Sequence, residues 1–347
     1  MRKRHKQILS LTVAVAISAV CLFFFLRELN FANVWAKIRQ AHVGWMALSL
    51  TTIWLSMVAR GFRWRVLLAD VKPISPVRLY HMQMIGITAT GIMPGRLGEF
   101  IKAIFLSQKS AIPFTSTFAT VVVERILDLA LVVTLTVTML LVFPFPTTPV
   151  ELPGFDEPTT ITALLRKFGI VSGAVCTVMI LGTLALVFYP ATFVRLVTRM
   201  VGLVSVKLGD FLGGLLQSFT SGLGVFRSPT RAAASLAWTA AVWAGILLSE
   251  YVLFKSFGIE VGLLGAALLT AALALAVALP QAPGFIGVFQ LATTMVLVHC
   301  FGVPKDAADA YAIVLWFVQM GCLIALGFVS LFVEGVSFAA HAVTKRR

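Results

Sequence analysis

Charge is what this chain has least of. Only 12% of its 347 residues are charged, with 14 acidic side chains against 28 Lys and Arg. A water-soluble domain is about one-quarter charged, so a hydrated globular surface is excluded. Cysteine is scarce as well. Cys21, Cys176, Cys300 and Cys322 lie singly in apolar segments, which argues against a disulfide framework or a thiolate metal centre. No HExxH pair, phosphate-binding glycine loop, nucleophile elbow or His/Cys cluster occurs, and His81 and His299 stand alone. No metal or cofactor is therefore expected. Long polar stretches are missing too, so residues 1–347 are expected to form one membrane domain.

What fills the chain instead is apolar surface. The hydrophobic share is 59% and the mean hydropathy is +0.96. The apolar runs are about 17 to 26 residues long, as bilayer-spanning helices require, and they lack the alternation of barrel strands. The sequence thus predicts an all-α integral membrane protein. Lys and Arg gather between these runs and form no basic domain. They read as topology markers or contacts to anionic lipid, and nucleic acid is not expected as a partner.

Spans are expected at Ile8–Leu26, Val43–Ala59, Phe118–Phe143, Phe168–Tyr189, Ala232–Phe254 and Ala308–Val333. The first follows a basic start without a small-residue cleavage site, so it reads as a retained helix. An interfacial helix is expected over Leu29–His42, where Phe31, Val34, Trp35 and Ile38 recur at helical spacing. The cluster Arg60, Arg63, Arg65, Lys72 and Arg78 reads as a cytoplasmic loop, as do Arg195–Arg231 and the C-terminal Lys345-Arg346-Arg347. The connector 144–167 holds only acidic charges, apart from its last residues, and reads as extracytoplasmic. Both termini are then cytoplasmic, in a multi-pass protein of the cell membrane.

Two apolar segments are short and broken. Leu79–Met93 stops at Pro94-Gly95-Arg96-Leu97-Gly98-Glu99, and Val261–Leu279 stops at Pro280-Gln281-Ala282-Pro283-Gly284-Phe285-Ile286-Gly287. Residues 1–143 and 168–338 therefore share one order: two spans, a broken pair, a long span. Parity makes them inverted halves, a pattern that points to a transporter's central site. Whether each broken pair is a re-entrant hairpin or two crossings stays open.

The chemistry concentrates at these breaks. Arg96, Glu99 and Lys102 form a slanting helical stripe, and Glu124, Arg125 and Asp128 lie deep inside a long apolar helix. Ionisable groups there are costly, so they pair or face a cavity. Two readings stand: an ion-pair brace between helices, or a polar pocket for a charged head group. In the pocket reading Arg96, Lys102 and Arg125 bind an anion, with N–H groups freed at Pro94, Gly95 and Gly98. Glu99, Glu124 and Asp128 orient those cations or relay protons. Pro280, Pro283, Gly284 and Gly287 break the second half and free N–H groups in the same way, and Gln281, Gly284, Gly287 and Gln290 are expected to help bind the head group. Glu250 reads as a snorkelling carboxylate at the membrane interface.

These residues also carry a resemblance. The chain resembles the membrane (flippase) domain of lysylphosphatidylglycerol synthases and its stand-alone relatives. The matching segments are Pro94–Glu99 with basic Lys102, Val123-Glu124-Arg125-Ile126-Leu127-Asp128, and Pro283–Phe289. Lys102 stands where the family more often has Arg, Gln290 where Glu is common, and Phe285 where Gly is usual. No soluble aminoacyl-transferase segment follows the last span, so lysine transfer is not expected. The resemblance implies a translocator of a phospholipid or polyprenyl-phosphate-type lipid, with a homo-oligomer compatible. The rivals are an intramembrane head-group or glycosyl transferase, using the same carboxylates as acid and base, and a scaffold for lipid-modifying enzymes.

Overall fold

The computed structural model describes residues 22–23, 25–27, 29–93, 97–145, 189–202, 228–278 and 283–335, with nine single positions between 170 and 216. Most of the first span, most of the connector and most of the fifth span lie outside the described residues. So do Pro94, Gly95, Arg96, Pro280 and Gln281. Every regular element described is helical. Five stretches are long and apolar enough to cross a bilayer: Val43–Leu67, Phe114–Val142, Pro229–Ser256, Pro283–Phe301 and Lys305–Val333. The chain is a multi-pass α-helical membrane protein.

In chain order the helices are α1 (Phe31–Gln40), α2 (Val43–Leu67), α3 (Pro76–Ile92), α4 (Gly98–Ser110), α5 (Phe114–Val142) and α6 (Pro190–Gly202). They continue with α7 (Pro229–Ser256), α8 (Leu263–Ala276), a 3₁₀ turn (Pro283–Phe285), α9 (Val288–Phe301) and α10 (Lys305–Trp316). A π turn at Phe317–Gly321 joins α10 to α11 (Cys322–Val333).

Three expectations need correction. The second span does not stop at Ala59; α2 runs on to Leu67, and Arg60, Arg63 and Arg65 are helical rather than loop residues. The helix can continue because Arg63 meets carboxylates of α5 instead of water. The apolar stripe of α1 is split. Val34 and Ile38 pack near Ala310 and Phe257, while Phe31 and Trp35 stay exposed. Glu250 does not snorkel; it is 1% exposed.

Contacts between helix ends sort the molecule into two poles. At one, Arg231 pairs with Asp70, Lys72 donates to the Ser110 carbonyl, and Lys109 donates to the Glu334 carbonyl. At the other, the His42 N–H donates to the Ser256 carbonyl, Asn33 donates to Asp306, and Phe143 packs on Phe301. The outer ends of α3 and α4 both lie at the first pole. Those of α8 and α9 lie at the second, where Phe301 closes on Gly265. With 17, 13, 14 and 14 residues these helices are about 25, 20, 21 and 21 Å long. The hydrocarbon core is about 30 Å thick. In each broken pair both outer helix ends therefore lie at one pole, the first pair at one and the second at the other.

The two hairpins meet at their tips. A Cβ on Gly284 would stand 3.4 Å from the Gly91 carbonyl oxygen at the end of α3. Within the first hairpin, α3 and α4 touch backbone to backbone, because a Cβ on Gly98 would collide with the Gly86 carbonyl. At the second tip Gly284 and Gly287 adopt φ of +69° and +91°. Phe285 between them is also left-handed, at φ +59°, where a Cβ costs about 1–2 kcal/mol. That strain explains the preference for Gly at this position, and burial of the Phe285 ring in the core offsets it here.

Candidate functional site

The ionisable residues of α2, α4 and α5 converge on one cluster. Arg63 is fully buried; its Nη1 donates to Asp128 Oδ1 at 2.6 Å and its Nη2 to Glu124 Oε1 at 3.4 Å. Thr239 of α7 accepts from the same guanidinium at 3.3 Å. Lys102 is 1% exposed and donates to Glu124 Oε2 at 2.7 Å and to Gln83 Oε1 at 3.0 Å, with Glu99 Oε2 at 2.8 Å. Gln83 returns its amide to Glu124 Oε1 at 3.0 Å. Lys102 also lies over the Trp64 ring, 5.0 Å from its centroid, a favourable seat for a desolvated ammonium.

Arg125 and Arg60 are held more loosely. Arg125 reaches Asp128 at 3.0 Å and Glu99 at 3.5 Å, with its side chain 41% exposed. Arg60 has a single carboxylate contact, Asp128 at 3.7 Å, beyond hydrogen-bond length. Its Nε and that of Arg125 are buried without a hydrogen-bond partner. The described cluster holds four cations, Arg60, Arg63, Lys102 and Arg125, against three acids, Glu99, Glu124 and Asp128. It carries one surplus positive charge.

A cavity of about 470 Å³ opens beside this cluster. Arg60, Gln83, Glu99, Lys102, Arg125 and Asp128 form one wall, with Trp243 donating to Asp128 at 3.1 Å. Glu250, Thr270 and Gln319 form a second polar patch. The rest is mainly apolar, including Ile53, Met57, Leu129, Val132, Leu273 and Phe289. The volume and the mixed lining suit an amphiphile rather than a small polar solute.

Of the residues singled out in the sequence, Glu99, Lys102, Arg125 and Asp128 come together on this wall, and Glu124 backs it through Lys102 and Arg63. Gly98 allows α3 and α4 to meet behind it. Gln281 lies outside the described residues, and the described second-half residues play a backbone role. Gln290 accepts from the Gly287 N–H at 2.8 Å and caps α9, and neither it, Gly284 nor Gly287 lines the cavity. The sequence reading missed Arg60, Arg63, Gln83, Thr239, Trp243, Glu250, Thr270 and Gln319. For Arg60 and Arg63 the local hint was their i, i+3 spacing, which does not reveal their distant acid partners.

Among the described residues no group of His, Cys, Asp and Glu is arranged to hold a metal ion. Cys300 and Cys322 are free thiols, while Cys21 and Cys176 lie outside the described residues.

The chain is 22% identical over 334 residues to the glycosyltransferase AglD of Haloferax volcanii, a match covering 90% of this chain and 52% of that protein. This chain therefore spans about half the length of that relative. It is also 22% identical over 284 residues to the UPF0104 membrane protein PH1989 of Pyrococcus horikoshii, covering 78% of this chain and 81% of that one. No solved structure matches it significantly. The model of the lysylphosphatidylglycerol synthase transmembrane region matches residues 11–327. Nearly the whole helical body is included in that match, with both hairpins and the buried ionic cluster, and the chain belongs to that family.

Proposed function

We propose that this protein translocates a lipid or lipid-linked saccharide, holding its anionic head group in the central cavity while the tails stay in the bilayer. The observation that carries this reading is the unevenly paired ionic wall. Arg63 and Lys102 are buried against carboxylates and serve as struts, although the Arg63 Nε also lacks a partner. Arg60 and Arg125 keep donors without partners at the cavity wall, where the charge is in surplus. A phosphate or similar group would occupy them, with Lys102 behind. Arg96, one residue after Gly95 in the sequence break, lies outside the described residues and is proposed as a further ligand. The inverted relation of residues 1–143 and 168–338, a cytoplasmic-membrane location and cytoplasmic termini belong to the same proposal.

The ionic pairing disfavours a head-group transferase that would use Glu99, Glu124 or Asp128 as its base. Glu99, Glu124 and Asp128 each hold at least one cation, which leaves none of them free as a general base. Proteoliposomes containing the full chain and a fluorescent phosphatidylglycerol test the two together. Movement of the intact label between leaflets is expected. A covalently altered lipid would favour the transferase, and neither outcome would leave the scaffold reading. Arg60→Ala should leave a folded protein, because its ion pair is long. It should weaken binding of the probe by roughly 1.5–3 kcal/mol, one to two decades, the usual worth of a charge-assisted hydrogen bond.

A further inference from the structure

One buried acid lines the cavity yet has no part in the ionic wall. It is Glu250, in α7. Its Oε2 is 2.6 Å from Thr270 Oγ1, and its Oε1 accepts from Gln319 Nε2 at 3.2 Å. Among the described residues no Lys, Arg or His forms an ion pair with it, whereas Glu99, Glu124 and Asp128 all have one. Its surroundings contribute few ionisable groups. α8 has none. α10 brings Tyr311, whose hydroxyl donates to the Glu250 carbonyl at 2.9 Å. The π turn brings Gln319, α2 brings Arg60 to the cavity, and α5 brings Arg125 and Asp128.

The hydrogen bonds around Glu250 accommodate two protonation states. Thr270 Oγ1 carries one hydrogen and faces two acceptors, Glu250 Oε2 and the Ala266 carbonyl at 2.9 Å. With Glu250 ionised, that hydrogen points at the carboxylate. With Glu250 protonated, the acid O–H donates to Thr270 Oγ1, and the Thr270 hydrogen turns to Ala266. Neither state leaves this part of the network unsatisfied. A hard metal cation would instead need about six oxygen ligands, and two hydrogen-bond donors occupy that space.

Charge links this patch to the ionic wall. The described cluster carries one surplus positive charge, which an ionised Glu250 would cancel and a protonated Glu250 would leave for an anion. We propose that Glu250 and Thr270 form a proton site coupled to head-group binding, so that an anionic head group and a proton occupy the cavity together. The proton comes from water at the open face onto Glu250 Oε2 and leaves to water at the other. The anion half of this coupling rests on the head-group reading above. By linkage, each ligand strengthens the other by the same factor.

The test uses the full chain in nanodiscs and a fluorescent short-chain phosphatidylglycerol as probe. Wild-type affinity should rise by about five-fold or more on going from mildly alkaline to mildly acidic buffer. Glu250→Gln should bind as tightly as acidified wild type at every pH. Thr270→Val should blunt the dependence and Thr270→Ser should preserve it. Parallel pH dependence in wild type and Glu250→Gln would overturn the coupling. Infrared difference spectra on acidification should contain a carboxylic-acid carbonyl band that Glu250→Gln removes, and spectra identical in the two proteins would overturn the proton site. A probe that binds neither protein at any pH would overturn the head-group reading and the coupling with it. The infrared band would still decide whether Glu250 takes up the proton.

Discussion

Arg60 and Arg63 are one helical turn apart, yet they do different work. Arg63 is buried, with two carboxylates and Thr239 around it, while Arg60 faces the cavity with one distant carboxylate. The acids differ in the same way. Glu124 neutralises two buried cations, Arg63 and Lys102, whereas Glu250 neutralises none. Glu124→Gln should therefore destabilise the protein by about 3–5 kcal/mol, the usual penalty for stranding a buried charge. Glu250→Gln should cost far less, since an amide can still accept from Thr270. Thermal unfolding of the two variants in the same detergent checks this, and equal losses would contradict it. The motif Val123–Asp128 was legible because charge within an apolar helix has few explanations. Arg60 and Arg63 were not. Arginines just after an apolar run look like a cytoplasmic loop, and only their acid partners, more than 60 positions away, reveal otherwise. Glu250 was missed for a similar reason: its partners Thr270 and Gln319 are far along the chain.

The hairpins depend on backbone proximity more than on side-chain chemistry. Gly98 lies against the Gly86 carbonyl, and Lys102 reaches its acids from the next turn of α4. Gly98→Ala would force α3 and α4 apart at this point. Overpacking of this kind costs about 1–3 kcal/mol, and the displaced Lys102 should also weaken lipid binding. Gly262→Ala is the control. No atom lies within 4 Å of the added methyl and its φ is −77°, so its stability should stay within about 0.5 kcal/mol. Thermal stability measured with and without the phosphatidylglycerol probe separates the two. The breaks themselves were visible as Pro and Gly runs between short apolar segments. Their hairpin form was not, because it depends on which helix ends share a pole. Hydropathy has no access to that relation.

At the scale of the whole molecule, the pole contacts define which loops share a side. The loop between α2 and α3 carries Asp70 and Lys72 at the pole of Arg231 and Glu334. Charge counting predicts that this pole is cytoplasmic and that the acidic connector lies opposite. An impermeant thiol reagent on a cysteine-free background should therefore label Asp156→Cys in intact cells and Lys72→Cys only after permeabilisation. The reverse pattern would invert the orientation, and labelling of both from one side would refute the two-pole arrangement. The meeting of the hairpin tips has an electrical consequence. Wherever water follows a hairpin to its tip, the insulating layer shrinks to the thin septum between the tips. The membrane voltage then falls across that septum instead of the full hydrocarbon thickness. A charge carried past it does the full electrical work, about 2.3 kcal/mol per elementary charge at 100 mV, over a very short path. The voltage becomes a steep local force on whatever ion or head group the cavity holds.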